Sequence, residues 1–264
     1  MNRNDFPILT EQVYNRPLVY LDNAATTQKP QAMMDALQYA YSHFNANIHR
    51  GVHHLSQLAT RHHEQARQTV ADFLHAASPN EIIFTKGTTD SINMLAFSIG
   101  EAFIHEGDEI IISAVEHHSN IVPWQMLCER KGAMLKVIPL RDDLSLDMNA
   151  YKQLLSDRTR LVAVAHISNV LGTLNPVEDI IRLAHEREIP VLIDGAQSAA
   201  HLPIDVQQLD CDFFACSAHK IYGPTGLGVL YGKERWLNLL PPAQGGGEMI
   251  EHVTFEHTTY NTLP

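Results

Sequence analysis

From Glu81 onward the sequence alternates short runs that are apolar at almost every position with segments of helical periodicity. The runs are EIIF (81–84), EIIIS (109–113), MLKVIP (134–139), RLVAVAHIS (160–168), VLIDGA (191–196) and DFFACS (212–217). A strand wetted on one side alternates apolar with polar residues, whereas a strand apolar throughout has to be covered on both faces. Helices lying between such strands supply the cover. The pattern therefore predicts an α/β chain with a mostly parallel sheet and helices on both faces. Several of the helices can be read directly. Ile92, Leu95, Ala96, Ile99 and Phe103 fall at helical spacing, and a helix around NIVPWQMLCERKG is expected to stop at Gly132. A third is expected to take Asn175 as its N-cap and Pro176 as its first helical residue.

Composition narrows the function classes. The formal net charge is -11, from 30 acidic and 19 basic side chains, which disfavours nonspecific binding to nucleic acid or an anionic membrane. No run approaches the length of a membrane span, and MNRNDFPILT lacks the apolar core of a signal peptide, so a cytoplasmic protein is expected. Cys128, Cys211 and Cys216 are odd in number, lack metal-ligand spacing and are expected to be reduced thiols. The histidine pairs 53–54 and 62–63 are expected on a solvated face, and no metal site is expected. Residues 1–16 are expected to be an N-terminal segment and residues 17–264 one large domain.

In open parallel sheets ligands bind beyond the carboxyl ends of the strands. There VLIDGA delivers Asp194, with Gln197 three residues on. A helix cap or a structural salt bridge is the ordinary reading of such an acid, because an unpaired buried charge is costly. RLVAVAHIS runs into His166, Ser168 and Asn169, and EIIIS is followed closely by His117. Gly87, Thr88 and Thr89 sit at a strand-to-helix turn, where free N–H groups and hydroxyls suit an anion. Lys220, preceded by Ser217 and His219, stands between DFFACS and a turn containing Gly223, Pro224, Gly226 and Gly228. Singly these are weak signals. Together they set a lysine, an acid, an imidazole and an anion cradle at one sheet edge, which matches what pyridoxal 5′-phosphate requires. An amine near an apolar strand end has a lowered pKa and can condense with an aldehyde.

The stretches YLDNAATTQKP, NIHRGVHHLS, FTKGTTDSIN, EHHSNIVPWQ, HISNVLGT, DGAQSAAH and SAHKIYGPTGLGVLYG, in this order, carry a family resemblance. The chain resembles the cysteine desulfurases, in the class V aminotransferase group of fold-type I pyridoxal-phosphate enzymes, and most closely their SufS/CsdA branch, which includes selenocysteine lyases. The resemblance implies that Lys220 is the Schiff-base lysine, that His117 stacks on the pyridoxal ring and that Asp194 pairs with the ring nitrogen. It places Gln197 on the ring's phenolic oxygen, Thr89, Ser217 and His219 on the phosphate with Thr88 nearby, and Asn169 near substrate and ring oxygen. His49 and Arg50 resemble a segment that borders the site across a homodimer interface. The implied reaction turns L-cysteine into L-alanine and leaves sulfur as a persulfide, which passes to an acceptor protein for iron–sulfur cluster assembly. L-selenocysteine is the alternative substrate, and a non-catalytic cofactor-binding or dimerisation fragment is the alternative role.

One departure from the family is expected to matter. The family's nucleophilic cysteine, its carboxylate-clamping arginine and most of its small C-terminal domain belong beyond Pro264. The expectation is a truncated, catalytically impaired form, in which none of the three cysteines takes the nucleophile's place.

Overall fold

The computed structural model describes residues 2–49, 51–247, 249–261 and 263. A short hairpin, β1 (Gln12–Val13) with β2 (Arg16–Pro17), precedes α1 (Gln31–His43) and α2 (His54–Leu74). The alternating region follows as β3 (Ile82–Thr85), α3 (Thr88–Phe103), β4 (Glu109–Ser113), α4 (Val122–Lys131), β5 (Met134–Ile138), α5 (Met148–Leu154) and β6 (Thr159–Ala165). It continues with α6 (Val177–His185), β7 (Val191–Asp194), β8 (Phe213–Ser217) and β9 (Gly228–Gly232). A second hairpin, β10 (Ile250–Val253) with β11 (Thr258–Tyr260), comes last.

Seven strands form one sheet in the order β3-β9-β8-β7-β6-β4-β5. All pairs from β8 to β5 are parallel, and β9 runs antiparallel between β3 and β8. The period of two along each strand divides the core into two layers. Ile111, Val162, Val164, Val191, Ile193 and Phe214 meet α2 and α6 on one face. Ile110, Ile112, Leu161, Ala163, Leu192 and Phe213 meet α3 and α4 on the other. Both layers are dry, which is why these strands carry no polar alternation.

The mostly parallel sheet with helices on both faces is the architecture expected from the strand pattern. Two features differ from expectation. Gly228, expected in the turn after Lys220, opens the fully buried strand β9. Asn175 is not the cap of α6: its Nδ2 donates to the Ala165 carbonyl oxygen at 2.7 Å, and the helix starts at Val177 after Pro176. A buried amide closing the end of β6 takes precedence over a cap that proline's preset φ makes dispensable. Gly132 does end α4, in the left-handed conformation at φ 69°. The first two histidine pairs are largely exposed, yet His53 caps α2 through the Ser56 N–H and His62 stacks on Phe44 at 4.2 Å.

Candidate active site

The strand ends open on a cavity of about 450 Å³ lined by Thr88, Thr89, His117, Asn169, Asp194, Gln197, Ser217, His219 and Lys220. These are all nine of the residues expected around the cofactor. His49 does not line it: it is exposed, at φ 66°, with Nε2 3.3 Å from Glu64 Oε1. Arg50 lies outside the described residues.

Two buried aspartates show which acid is structural and which is poised. Asp212, fully buried, accepts from the Val191 N–H, His185, Arg235 and the Trp236 indole, all within 2.9 Å. Burial opposes its ionisation, but these donors together with Lys233 hold its carboxyl far below the usual range. Asp194 is as enclosed, yet among the described residues its carboxylate accepts one hydrogen bond, from the Ala196 N–H at 2.9 Å. Burial pushes its pKa up, against the opposing pull of Lys220 and His117. A buried acid so short of partners suits a cationic ligand atom in the cavity beside it.

Lys220 ends a 3₁₀ turn (Ala218–Lys220) directly after β8. Burial lowers its pKa and the Asp194 charge raises it, with burial prevailing. The amine is thereby brought toward the neutral form that a carbonyl electrophile requires. His117 accepts the Ser119 N–H at Nδ1 over 3.1 Å, so a neutral ring carries its proton on Nε2. Burial, then Lys220, lowers its pKa.

The anion end rests on a backbone contact. Gly87, at φ 148°, caps α3, and Ser217 Oγ lies 2.8 Å from the Thr88 N and 2.7 Å from Thr88 Oγ1. Gly228 pairs with both Thr85 and Ser217, and a Cβ there would stand 2.4 Å from Gly87 Cα. Gly228→Ala is therefore expected to force β9 and the 85–88 turn apart and lower stability by about 2–3 kcal/mol. A urea midpoint unchanged from the parent would refute that tight approach.

The sequence reading did not assign roles to several lining residues. Asp22, Ala24, Ala25 and Ser119 also border the cavity. The first three belong to a segment that folds across the Lys220 turn. Thr27 N–H and Lys29 Nζ each donate to the His219 carbonyl at 2.9 Å, and Gln197 Nε2 donates to the Ala24 carbonyl at 2.8 Å. The YLDNAATTQKP stretch was visible, but its contacts are made some 190 residues away along the chain, beyond the reach of local spacing. Ser119 bonds Thr89 Oγ1 at 2.7 Å, joining the imidazole loop to the anion end.

The cysteines sit elsewhere. Cys128, Cys211 and Cys216 are all buried, and burial pushes each thiol up, that of Cys128 to about 11. His49, His63 and Glu64 form a group with metal-type ligands, but Arg67 lies against both His63 and Glu64, at 3.1 and 3.0 Å. Its guanidinium already supplies the positive charge there. No helix among the described residues is long and apolar enough to cross a membrane.

Known proteins resemble this chain in sequence and fold. The chain is 53% identical over 262 residues to a cysteine desulfurase of Synechococcus elongatus, a match that covers 99% of this chain and 42% of the relative. The crystal structure of the cysteine desulfurase CsdA (S-sulfonic acid) from Escherichia coli superposes with a TM-score of 0.90 at 42% identity, covering 99% of this chain and 64% of that one. A C-DES variant with glycine covalently linked to its PLP cofactor gives a TM-score of 0.80 at 26% identity, covering 98% of this chain and 66% of that one. The chain thus spans about two-fifths of the first of these and about two-thirds of the solved structures. Residues 19–264 match the aminotransferase class-V family, a range that contains the whole seven-stranded sheet and every residue lining the cavity. By that match the chain belongs to the aminotransferase class V family.

Proposed function

We propose that these 264 residues hold the cofactor of a pyridoxal 5′-phosphate-dependent cysteine desulfurase, which converts L-cysteine to L-alanine and passes the sulfur to a thiolate as a persulfide. The observation that carries this reading is the pairing, in one cavity, of a buried, under-bonded Asp194 with a lysine whose amine is pushed toward neutrality. In this reading Lys220 would hold the cofactor covalently and Asp194 would pair with its ring nitrogen in the protonated form. His117 would stand against the ring, and Gln197 and Asn169 would serve its oxygen. Thr88, Thr89, Ser217, His219 and the N–H groups opening α3 take the phosphate. Bound there, the cofactor supplies an electron sink for bonds broken at the amino-acid substrate.

The residues then divide the remaining work. As a free amine, which its lowered pKa favours, Lys220 Nζ would take and return the α-proton of the substrate. The segment from Asp22 to Lys29 is tied across the Lys220 turn through the His219 carbonyl. Sulfur goes to a thiol other than Cys128, Cys211 or Cys216, because a buried thiol with a raised pKa is a poor nucleophile. Residues 17–264 act as the cofactor-binding domain and residues 1–16 as an arm on it, consistent with Phe6 packing on Tyr222 at 5.7 Å. The exposed apolar Val19, Leu21 and Val52, the last of them three residues from His49, support pairing with a second copy. An acceptor protein for the sulfur completes the reading.

The test starts with binding. Mixed with PLP and freed of excess, the chain is expected to show a visible absorption band that borohydride fixes as a mass increment on Lys220. Alanine formed from L-cysteine is assayed next. Folded chain without a band refutes the reading.

A further inference from the structure

Glu116 stands beside the cavity and has no part in the roles above. It opens the loop (114–121) that carries His117 and Ser119 to the site. As a residue it is part-exposed, but its carboxyl group is enclosed by three hydrogen bonds from three directions. Oε1 accepts from Ser113 Oγ at the end of β4 and from the Ala165 N–H at the end of β6, 2.9 Å away. Oε2 accepts from Asn120 Nδ2 at 2.6 Å, where the loop enters α4. Among the described residues, the loop has few other ties to distant chain. Ala114 N–H donates to the Ile138 carbonyl at 3.0 Å, and Ser119 bonds Thr89. The bonds inside the loop, Asn120 N–H to His117 O and Ile121 N–H to His118 O, shape it without anchoring it.

We propose that Glu116 is the positioning residue of this site: its carboxyl group latches the 114–121 loop to the end of β6 and so fixes where the His117 imidazole stands. The inference rests on the cofactor reading above, and deepens it, by naming what holds the ring-facing imidazole in place.

The donor pattern makes a carboxyl group necessary. Trp124, wholly buried, donates its indole N–H to Asn120 Oδ1 at 2.8 Å, which fixes that amide with its NH2 toward Glu116. The Ala165 N–H is backbone and cannot reverse. Only the Ser113 hydroxyl can change from donor to acceptor, and it does so when Glu116 is protonated. A carboxyl group thus satisfies all three partners in either protonation state. A glutamine cannot: with its NH2 at the Oε2 position it meets the Asn120 NH2, and at the Oε1 position it meets the Ala165 N–H. In both orientations a donor faces a donor.

Protonation gives the latch a signature. Burial pushes the Glu116 pKa up to about 7 from its ordinary 4.5, although the three hydrogen bonds pull the other way, and the Asp194 charge adds to the rise. Of the elements packed around it, β7 presents Asp194, while β4, the entry to α4 and β6 present the neutral donors Ser113, Asn120 and the Ala165 amide. A closed loop with the higher pKa retains a proton that an opened, solvated loop releases. Closing is therefore favoured most fully below pH 4.5, and that advantage is lost as pH rises toward 7.

Hydrogen–deuterium exchange on the cofactor-free 264-residue chain tests this. In Glu116→Gln the Ser119 and Asn120 amides are expected to exchange about tenfold faster, the factor for one mispaired buried donor, while Val162–Val164 in β6 keep their protection. Ser113→Ala, which leaves the carboxyl in place, is expected to give a smaller rise of about threefold and serves if the first variant does not fold. Corrected for intrinsic rates, wild-type protection of the Asn120 amide, whose acceptor is the His117 backbone carbonyl, should fall between pH 5 and pH 7, and in Glu116→Gln it should be flat; Ser119, whose N–H donates to the titrating His117 Nδ1, is left out of the pH comparison. Unchanged loop exchange in both variants, or loss spread evenly over the sheet, overturns the proposal. A PLP titration of the same proteins separates it from the function on which it rests. Wild type that binds no PLP refutes the cofactor reading, whereas equal PLP affinity in wild type and Glu116→Gln refutes the positioning role alone.

Discussion

Lys220→Ala is expected to abolish the borohydride-fixed attachment of PLP and to weaken retention of the cofactor by about 100-fold or more, leaving the fold intact. The side chain can be removed safely because it contributes little to the packing. Lys220 is part-exposed, ends a three-residue turn, and its Nζ makes no hydrogen bond among the described residues. The backbone of the turn is held by others: Ala218 N–H reaches the Leu227 carbonyl at 3.0 Å, and the His219 carbonyl takes Thr27 and Lys29. Removing a partly desolvated ammonium is thus expected to leave the thermal midpoint of the cofactor-free chain unchanged or slightly raised. The measurement is the visible spectrum before and after borohydride, with peptide mapping of the label. A label that persists in Lys220→Ala on some other lysine would remove Lys220 from its assigned place.

Asp194→Asn is expected to move stability and cofactor binding in opposite directions. In the cofactor-free chain Asp194 is a buried acid whose carboxylate accepts one hydrogen bond among the described residues, and burial raises its pKa. An acid with a folded pKa above its unfolded one stabilises the fold most at low pH, and that contribution is lost as pH rises through the folded value. At neutral pH the uncharged asparagine keeps the bond from the Ala196 N–H and avoids the charge. The variant is expected to be more stable by about 1–2 kcal/mol, with the advantage shrinking as pH falls toward the ordinary aspartate value. PLP affinity is expected to fall by about 10- to 100-fold, because a neutral amide holds a pyridinium far less well than a carboxylate does. Asp212→Asn is the contrast. It removes a charge that four donors compensate and is expected to destabilise the protein. Equal behaviour of the two variants would show that Asp194 is a structural acid like Asp212.

The sequence by itself determined the sheet and the place of the chemistry. Runs such as EIIIS and DFFACS, apolar on consecutive positions, fit only strands covered on both faces, and the polar residues that follow them collect at one edge. That is why Lys220, Asp194, His117 and the Thr88–Thr89 turn were identifiable from sequence and converge on a single cavity. What local pattern could not supply was partnership. Gly228 reads as part of the glycine turn, and its pairing with β3 and β8 makes it the first residue of a strand. Asn175 has the residue type of a helix cap but closes the end of β6 instead. Asp194 and Asp212 are both acids beside apolar strands, and the sequence cannot tell them apart. One acquires four donors from distant residues and the other acquires one, and desolvation turns that difference into opposite pKa shifts. The segment around Asp22 and the carboxyl latch at Glu116 became visible only in the folded chain. Their hydrogen bonds join residues about 190 and 49 positions apart, and such contacts depend on topology, which periodicity does not encode.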